Sequence, residues 1–122
     1  MRMVGRIALW LCQAFLAAMF VYVGTAKFAN PVWARMFSRW GYPDHFYLVI
    51  GAIEVAAGVG LLVPRIAGLS ALTLVVVMAG AGMTHLVNGE PQRLAQNAVL
   101  SALLAIVAYG RWRGVPTPKA MA

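Results

Sequence analysis

The chain has 122 residues, of which 62% are hydrophobic and only 11% charged. A soluble domain carries about 25% charged residues, so this composition cannot clothe a water-facing surface, and the long apolar blocks make a bilayer the solvent. The net charge of +7 does not signal nucleic acid, because the basic residues flank apolar blocks and no basic stripe or recognition element is present.

A membrane span needs about 20 predominantly apolar residues. The first candidate runs from Ile7 to Phe28. Arg2 and Arg6 ahead of it imitate the start of a signal peptide, but the run is too long and no convincing cleavage site follows, so it reads as a retained first span. Gln13, Ala17, Phe20, Gly24 and Lys27 lie along one stripe, spaced three to four residues apart. Tyr22 is a further candidate binding residue in this span. Cys12 is the only cysteine. It excludes an intrachain disulfide and reads as a small packing residue, so a redox role would need a bound cofactor or a partner protein.

The connection from Ala29 to His45 carries a pattern of its own. Asn30-Pro31 looks like a helix cap followed by proline at the first helical position. Trp33, Met36, Phe37 and Trp40 then recur at helical spacing, while Arg35, Ser38 and Arg39 fall on the other face, and Gly41 ends the element. This predicts a short amphipathic helix in the membrane interface, with tryptophans at headgroup level. An anchoring role is preferred to that of a ligand lid.

The second span is expected over 46–63, the third over 66–87 and the fourth over 95–112. Pro64-Arg65 predicts a tight antiparallel hairpin between the second and third. Asn88-Gly89-Glu90-Pro91 is a strong turn signal after the third. The expected fold is therefore all-α: an integral membrane four-helix bundle with an interfacial helix between helices 1 and 2. A single domain fills 1–113, and 114–122 is expected to be a disordered cytoplasmic tail. Arg2, Arg6, Arg65, Arg111, Arg113 and Lys119 gather on the side of the termini. Lys27, Arg35, Arg39 and Arg93 lie on the other side with Asp44 and Glu90. The positive-inside rule then places both termini in the cytoplasm of a cytoplasmic (inner) membrane.

Glu54 is the most informative residue. It stands in mid-span, where a charge costs at least about 2.5–3.5 kcal/mol on insertion scales. Gly51, Glu54, Ala57, Gly58 and Leu61 share one helical face of mostly small residues, so Glu54 is expected to point into the bundle. It reads equally as a proton carrier, acid–base group or cation site, and as a polar clamp between helices. Lys27 either snorkels to the interface, the slightly preferred reading, or bends inward as the counter-ion of Glu54. His85 shares a face with Met78, Ala81 and Gly82, beside Thr84. No second ligand stands three or four residues away, so it reads as a hydrogen-bonded interface histidine and no metal site is expected. Asn97, Ser101, Ala105 and Ala108 form a small, polar face on the fourth span, next to Gln96. Together these residues predict a polar pocket opening beside the interfacial helix, with Glu54 as its floor. Glu54, Lys27 and His85 would do the chemistry. Gln13, Phe20, Tyr22, Trp33, Met78, Gln96 and Asn97 would contact the ligand.

Gly24-Thr-Ala-Lys27, Gly41-Tyr-Pro43, Gly51-Ala-Ile-Glu54, the run from Gly58 to Pro64, and Met78 to His85 follow one another in an order and spacing that resembles the DoxX family, in particular its short DoxX-like members. The resemblance covers nearly the whole chain from first span to last. It implies a four-helix membrane protein, with a quinone or a redox protein among the partners expected for such a family, and it implies Lys27, Glu54 and His85 as family-like polar positions without settling their roles. Three functions are carried forward. The first is an accessory subunit that binds an apolar molecule, a quinone for example, or anchors a redox partner. The second is an isomerase- or cyclase-type enzyme using Glu54 for acid–base chemistry on a lipophilic substrate. The third is a proton-coupled small transporter. Small-residue faces on the second and third spans suit a homo-oligomer and packing within one bundle equally.

Overall fold

The computed structural model describes residues 3–114. Five helices follow in chain order: α1 (Met3–Ala29), α2 (Val32–Arg39), α3 (Phe46–Gly60), α4 (Ala67–Val87) and α5 (Pro91–Gly114). The tail expected from 114 onward lies outside the described residues except for Gly114, which closes α5, and so do Arg2 and Lys119. The chain is an all-helical membrane bundle. Helices α1, α4 and α5 are each long and apolar enough to cross a bilayer.

The fourth span, the weakest by composition, forms a helix of 24 residues, longer than expected, starting at Pro91 rather than near 95. Proline at the first helical position loses nothing, because its missing N–H has no partner there anyway. The second span is the shorter one. Helix α3 stops at Gly60, not Val63, and turns carry the chain from Leu61 to Ile66. Pro64 disfavours helical backbone at Val63. The resulting 15-residue helix is about 22 Å long at 1.5 Å per residue.

Helix α3 packs chiefly on α1, and α4 on α5, with lighter seams between α1 and α5 and between α3 and α4. The Pro64-Arg65 turn does make α3 and α4 neighbours, with Gly60 against Ser70. The main partner of α3 is nonetheless α1, because both present small residues. A methyl group added at Gly24 would stand 2.7 Å from the Gly51 carbonyl oxygen, and one at Gly51 2.9 Å from that of Gly24. The face Gly51, Glu54, Ala57, Gly58 and Leu61 is buried throughout, as is the α1 stripe from Gln13 to Lys27. The small face of α3 is thus consumed within the bundle.

The apolar core lies toward the end that holds the chain termini, the terminal end. Leu16, Leu61, Leu74, Leu104 and Val107 are fully buried there. Cys12 packs against this cluster. On α5, Ala105 is exposed, so the inward face is set by Leu100, Leu104 and Val107 rather than by Asn97, Ser101, Ala105 and Ala108 alone.

Helix α2 takes the expected form. The Asn30 side-chain oxygen accepts the Val32 N–H at 3.0 Å. Arg35, Ser38 and Arg39 are exposed, while Phe37 is buried among Trp33, Trp40, Tyr42, Phe46 and Tyr47, with ring centroids 5.3–6.5 Å away. Gly41, at φ 91°, takes the left-handed backbone that lets the chain turn back toward α3.

The close α1–α3 approach gives a direct test. Gly24→Ala should destabilise the protein by about 1–3 kcal/mol, because the methyl meets backbone that cannot move aside. Gly80→Ala points into open space and should stay within about 0.5 kcal/mol of wild type. Unfolding in mixed micelles measures both, and equal costs would show that the glycine contact does not control the seam.

Candidate functional site

Two features of the sequence bring Lys27 and Glu54 together. Lys27 ends the buried stripe of α1, Glu54 lies within the small-residue face of α3, and those faces meet at Gly24 and Gly51. Lys27 therefore enters the bundle at the α2 end, two residues before α1 stops. Its Nζ stands 2.7 Å from Glu54 Oε1. Lys27 is 5% exposed and Glu54 3%. The lysine is the counter-ion of Glu54, which overturns the preference for snorkelling: the α1–α3 seam is tight enough to draw the side chain inward.

Trp33 of α2 covers the pair, its ring 4.2 Å from Lys27 Nζ. The indole face offers the ammonium a second attraction, which strengthens as water is excluded. Glu54 is under-satisfied by comparison. Its Oε1 is engaged by Lys27 Nζ, and Lys27 is the only described partner of the carboxylate. A buried carboxylate with unused lone pairs can accept a proton or a donor group from a bound molecule.

Glu54 and Lys27 are 3% and 5% exposed, so the predicted pocket floor is occupied by the ion pair itself. Two cavities are described, and neither Glu54 nor Lys27 lines them. One, of about 150 Å³, lies where α2 meets α3 and is bounded by Phe37, Ser38, Tyr42, Asp44 and His45 among others. The other lies on the outer side of α1 beside Tyr22, Thr25 and Asn30. The aromatic cluster around Phe37 fills the place expected for the mouth.

The remaining candidates separate. His85 turns to the α4–α5 connection, where its Nδ1 is 2.8 Å from Glu90 Oε1 and its ring meets Trp40 edge-on at 5.5 Å. This is a hydrogen-bonded interface histidine. The bond to His85 holds the Glu90 carboxyl below its usual range. Met78 and Asn97 form part of the α4–α5 seam, where Asn97 Nδ2 donates to the Met78 carbonyl at 2.9 Å. Ser101 donates to Asn97 Oδ1. Gln96 is exposed, and Tyr22, 73% exposed, faces away from the ion pair. Phe20 is core. Gln13 lies at the terminal end, bonded to Leu61 and Arg111. Of the ligand-contact set, only Trp33 joins Lys27 and Glu54.

The sequence reading missed three elements of this end. Tyr42 bonds through its hydroxyl to Thr84, joining the α2–α3 turn to α4. Phe37 organises the aromatic cluster. Glu90 is the partner of His85, and its position five residues later, beyond a turn, matches no helical spacing.

A family model described as the DoxX-like family matches residues 11–107. No curated protein and no solved structure matches the chain.

Removing one member of a buried ion pair strands the other, which typically costs about 3–5 kcal/mol, whereas replacing both by apolar residues is often close to neutral. Lys27→Met should therefore destabilise the bundle by about that amount, and Lys27→Met with Glu54→Leu by much less. A double-mutant cycle on unfolding free energies measures this. Additive costs would mean that the two side chains do not stabilise each other.

Proposed function

This chain belongs to the DoxX-like family, and on that premise we propose that it is an accessory membrane subunit of a redox or quinone-linked system, which binds an apolar molecule or anchors a redox partner. The observation that carries this reading is the closure of the Lys27–Glu54 pair. Its polar groups face each other under Trp33, and the loops leave little surface for a separate catalytic centre. Helix α2, by contrast, presents Arg35, Ser38 and Arg39 outward at the bundle end, where an acidic partner surface or anionic headgroups can meet them.

A second reading is favoured by the spare acceptor capacity of the Glu54 carboxylate, whose one described partner is Lys27. If α2 swings aside, a lipophilic substrate could reach Glu54 and exchange a proton with it, with Lys27 steadying the charge. Mass spectrometry on protein extracted gently from its native membrane separates the two. A stoichiometric protein partner, lost on Arg35→Glu/Arg39→Glu, supports the accessory subunit. An apolar molecule held without a protein partner, and lost on Glu54→Gln, supports the enzyme. Neither species at stoichiometric level would count against both.

We also propose that the termini are cytoplasmic and the membrane is the inner one. Arg6, Arg65 and Arg111 stand at the terminal end, while the α2 end mixes Arg35, Arg39 and Arg93 with Asp44 and Glu90, and Lys27 there is neutralised by Glu54. A fluorescent-protein fusion at the C-terminus should glow, and an alkaline phosphatase fusion should be inactive. The reverse pattern would invert the topology.

A further inference from the structure

Among the described residues, Arg111 has no counter-ion. The chain contains three acidic residues, Asp44, Glu54 and Glu90. Asp44 and Glu90 stand in the connections of the α2 end, and Glu54 is already paired with Lys27. None faces Arg111, whose interactions lie elsewhere. Its Nε donates to Gln13 Oε1 at 2.6 Å, and its guanidinium carbon sits 4.7 Å over the Trp10 ring. Gln13, fully buried, is fixed in turn by donating from Nε2 to the Leu61 carbonyl at 2.6 Å. The fork is thereby oriented from one side and stacked from another, yet its Nη2 is buried with no hydrogen-bond partner.

Arg111 is half-exposed, so the guanidinium can take an oxyanion along its open edge, while the covered Nη2 stays turned into the protein. Its depth fits a headgroup. Arg111 lies 20 residues beyond Pro91 on α5, about 30 Å along the helix, which is the thickness of the hydrocarbon layer. Trp10 and Trp112, both exposed, mark the same level as interfacial. Arg6, exposed one turn before Trp10 on α1, adds a second cation on the same helical face.

We propose that the terminal end of the α1–α5 seam binds the phosphate of one anionic phospholipid, held by Arg111 with Arg6 beside it and Trp10 beneath. Gln13 acts as a positioning residue, linking the bound headgroup to the end of α3 through Leu61.

The test uses the full-length protein in detergent, with native mass spectrometry counting retained lipid after exposure to phosphatidylglycerol, to phosphatidylcholine of the same acyl chains, or to inorganic phosphate. One phosphatidylglycerol should stay bound per chain, and phosphatidylcholine should be lost under the same activation. Arg111→Gln should weaken phosphatidylglycerol retention about tenfold, the loss of one or two charged hydrogen bonds. Arg111→Lys, which keeps the charge but not the fork, should fall between. Equal retention of the two lipids by the wild type overturns the proposal even if Arg111→Gln fails to fold. So does unchanged retention in a folded Arg111→Gln. Protection by inorganic phosphate as strong as that by phosphatidylglycerol would show an anion site that does not select lipid, and would overturn the assignment to a headgroup.

Discussion

A bilayer offers an ionised side chain no water to lean on, so Glu54 and Lys27 must hold each other. Much of the α2 end follows from that constraint. For the two to meet, α1 and α3 must approach within backbone reach, which is why glycine stands at 24 and 51. For the pair to stay dry, something must cover it, and α2 lays Trp33 across the lysine. For α2 to stay in place, Phe37 sits among five aromatic rings, and Tyr42 ties the following turn to Thr84. A buried ion pair is weak evidence for stability but a strong device for specifying which faces meet.

The terminal end solves the same problem differently. Leucine and valine fill it, and its one buried polar crossing is the Gln13 amide, which uses both ends of its side chain to join α1, α3 and α5. An amide pays a smaller desolvation penalty than a charge, so this end can be packed tightly with ordinary apolar side chains. The bundle therefore has an apolar half and a polar half, and the buried carboxylate–ammonium pair lies in the polar half.

Much of the architecture was legible in the sequence because lipid imposes simple rules. Apolar block length located the spans, and helical spacing placed Gln13, Gly24 and Lys27 on one face and Gly51, Glu54 and Gly58 on another. The same spacing separated Phe37 from Arg35 and Arg39 on the interfacial helix. What spacing could not supply was pairing between helices. Lys27 at a helix end has two physically sound fates, and only the proximity of α1 and α3 selects between them. Gln13 and Arg111 are 98 positions apart, and His85 and Glu90 meet across a turn, so neither pair leaves a local signature. The shortness of α3 was also hidden, since Leu61 to Val63 are as apolar as the helix they follow. Polar residues near one end of a bundle can also satisfy one another, as Lys27 and Glu54 do.

The brevity of α3 also bears on the membrane itself. Its 15 residues fall about 8 Å short of a typical hydrocarbon layer, while α1, α4 and α5 do not. Lipids beside Val49, Ala52, Ala56 and Val59, the exposed side of α3, meet less apolar height than lipids around the rest of the bundle. A short segment is accommodated by local thinning. A bundle with one short helix asks the surrounding lipid to adjust on one flank more than on the others, a matter of hydrophobic mismatch.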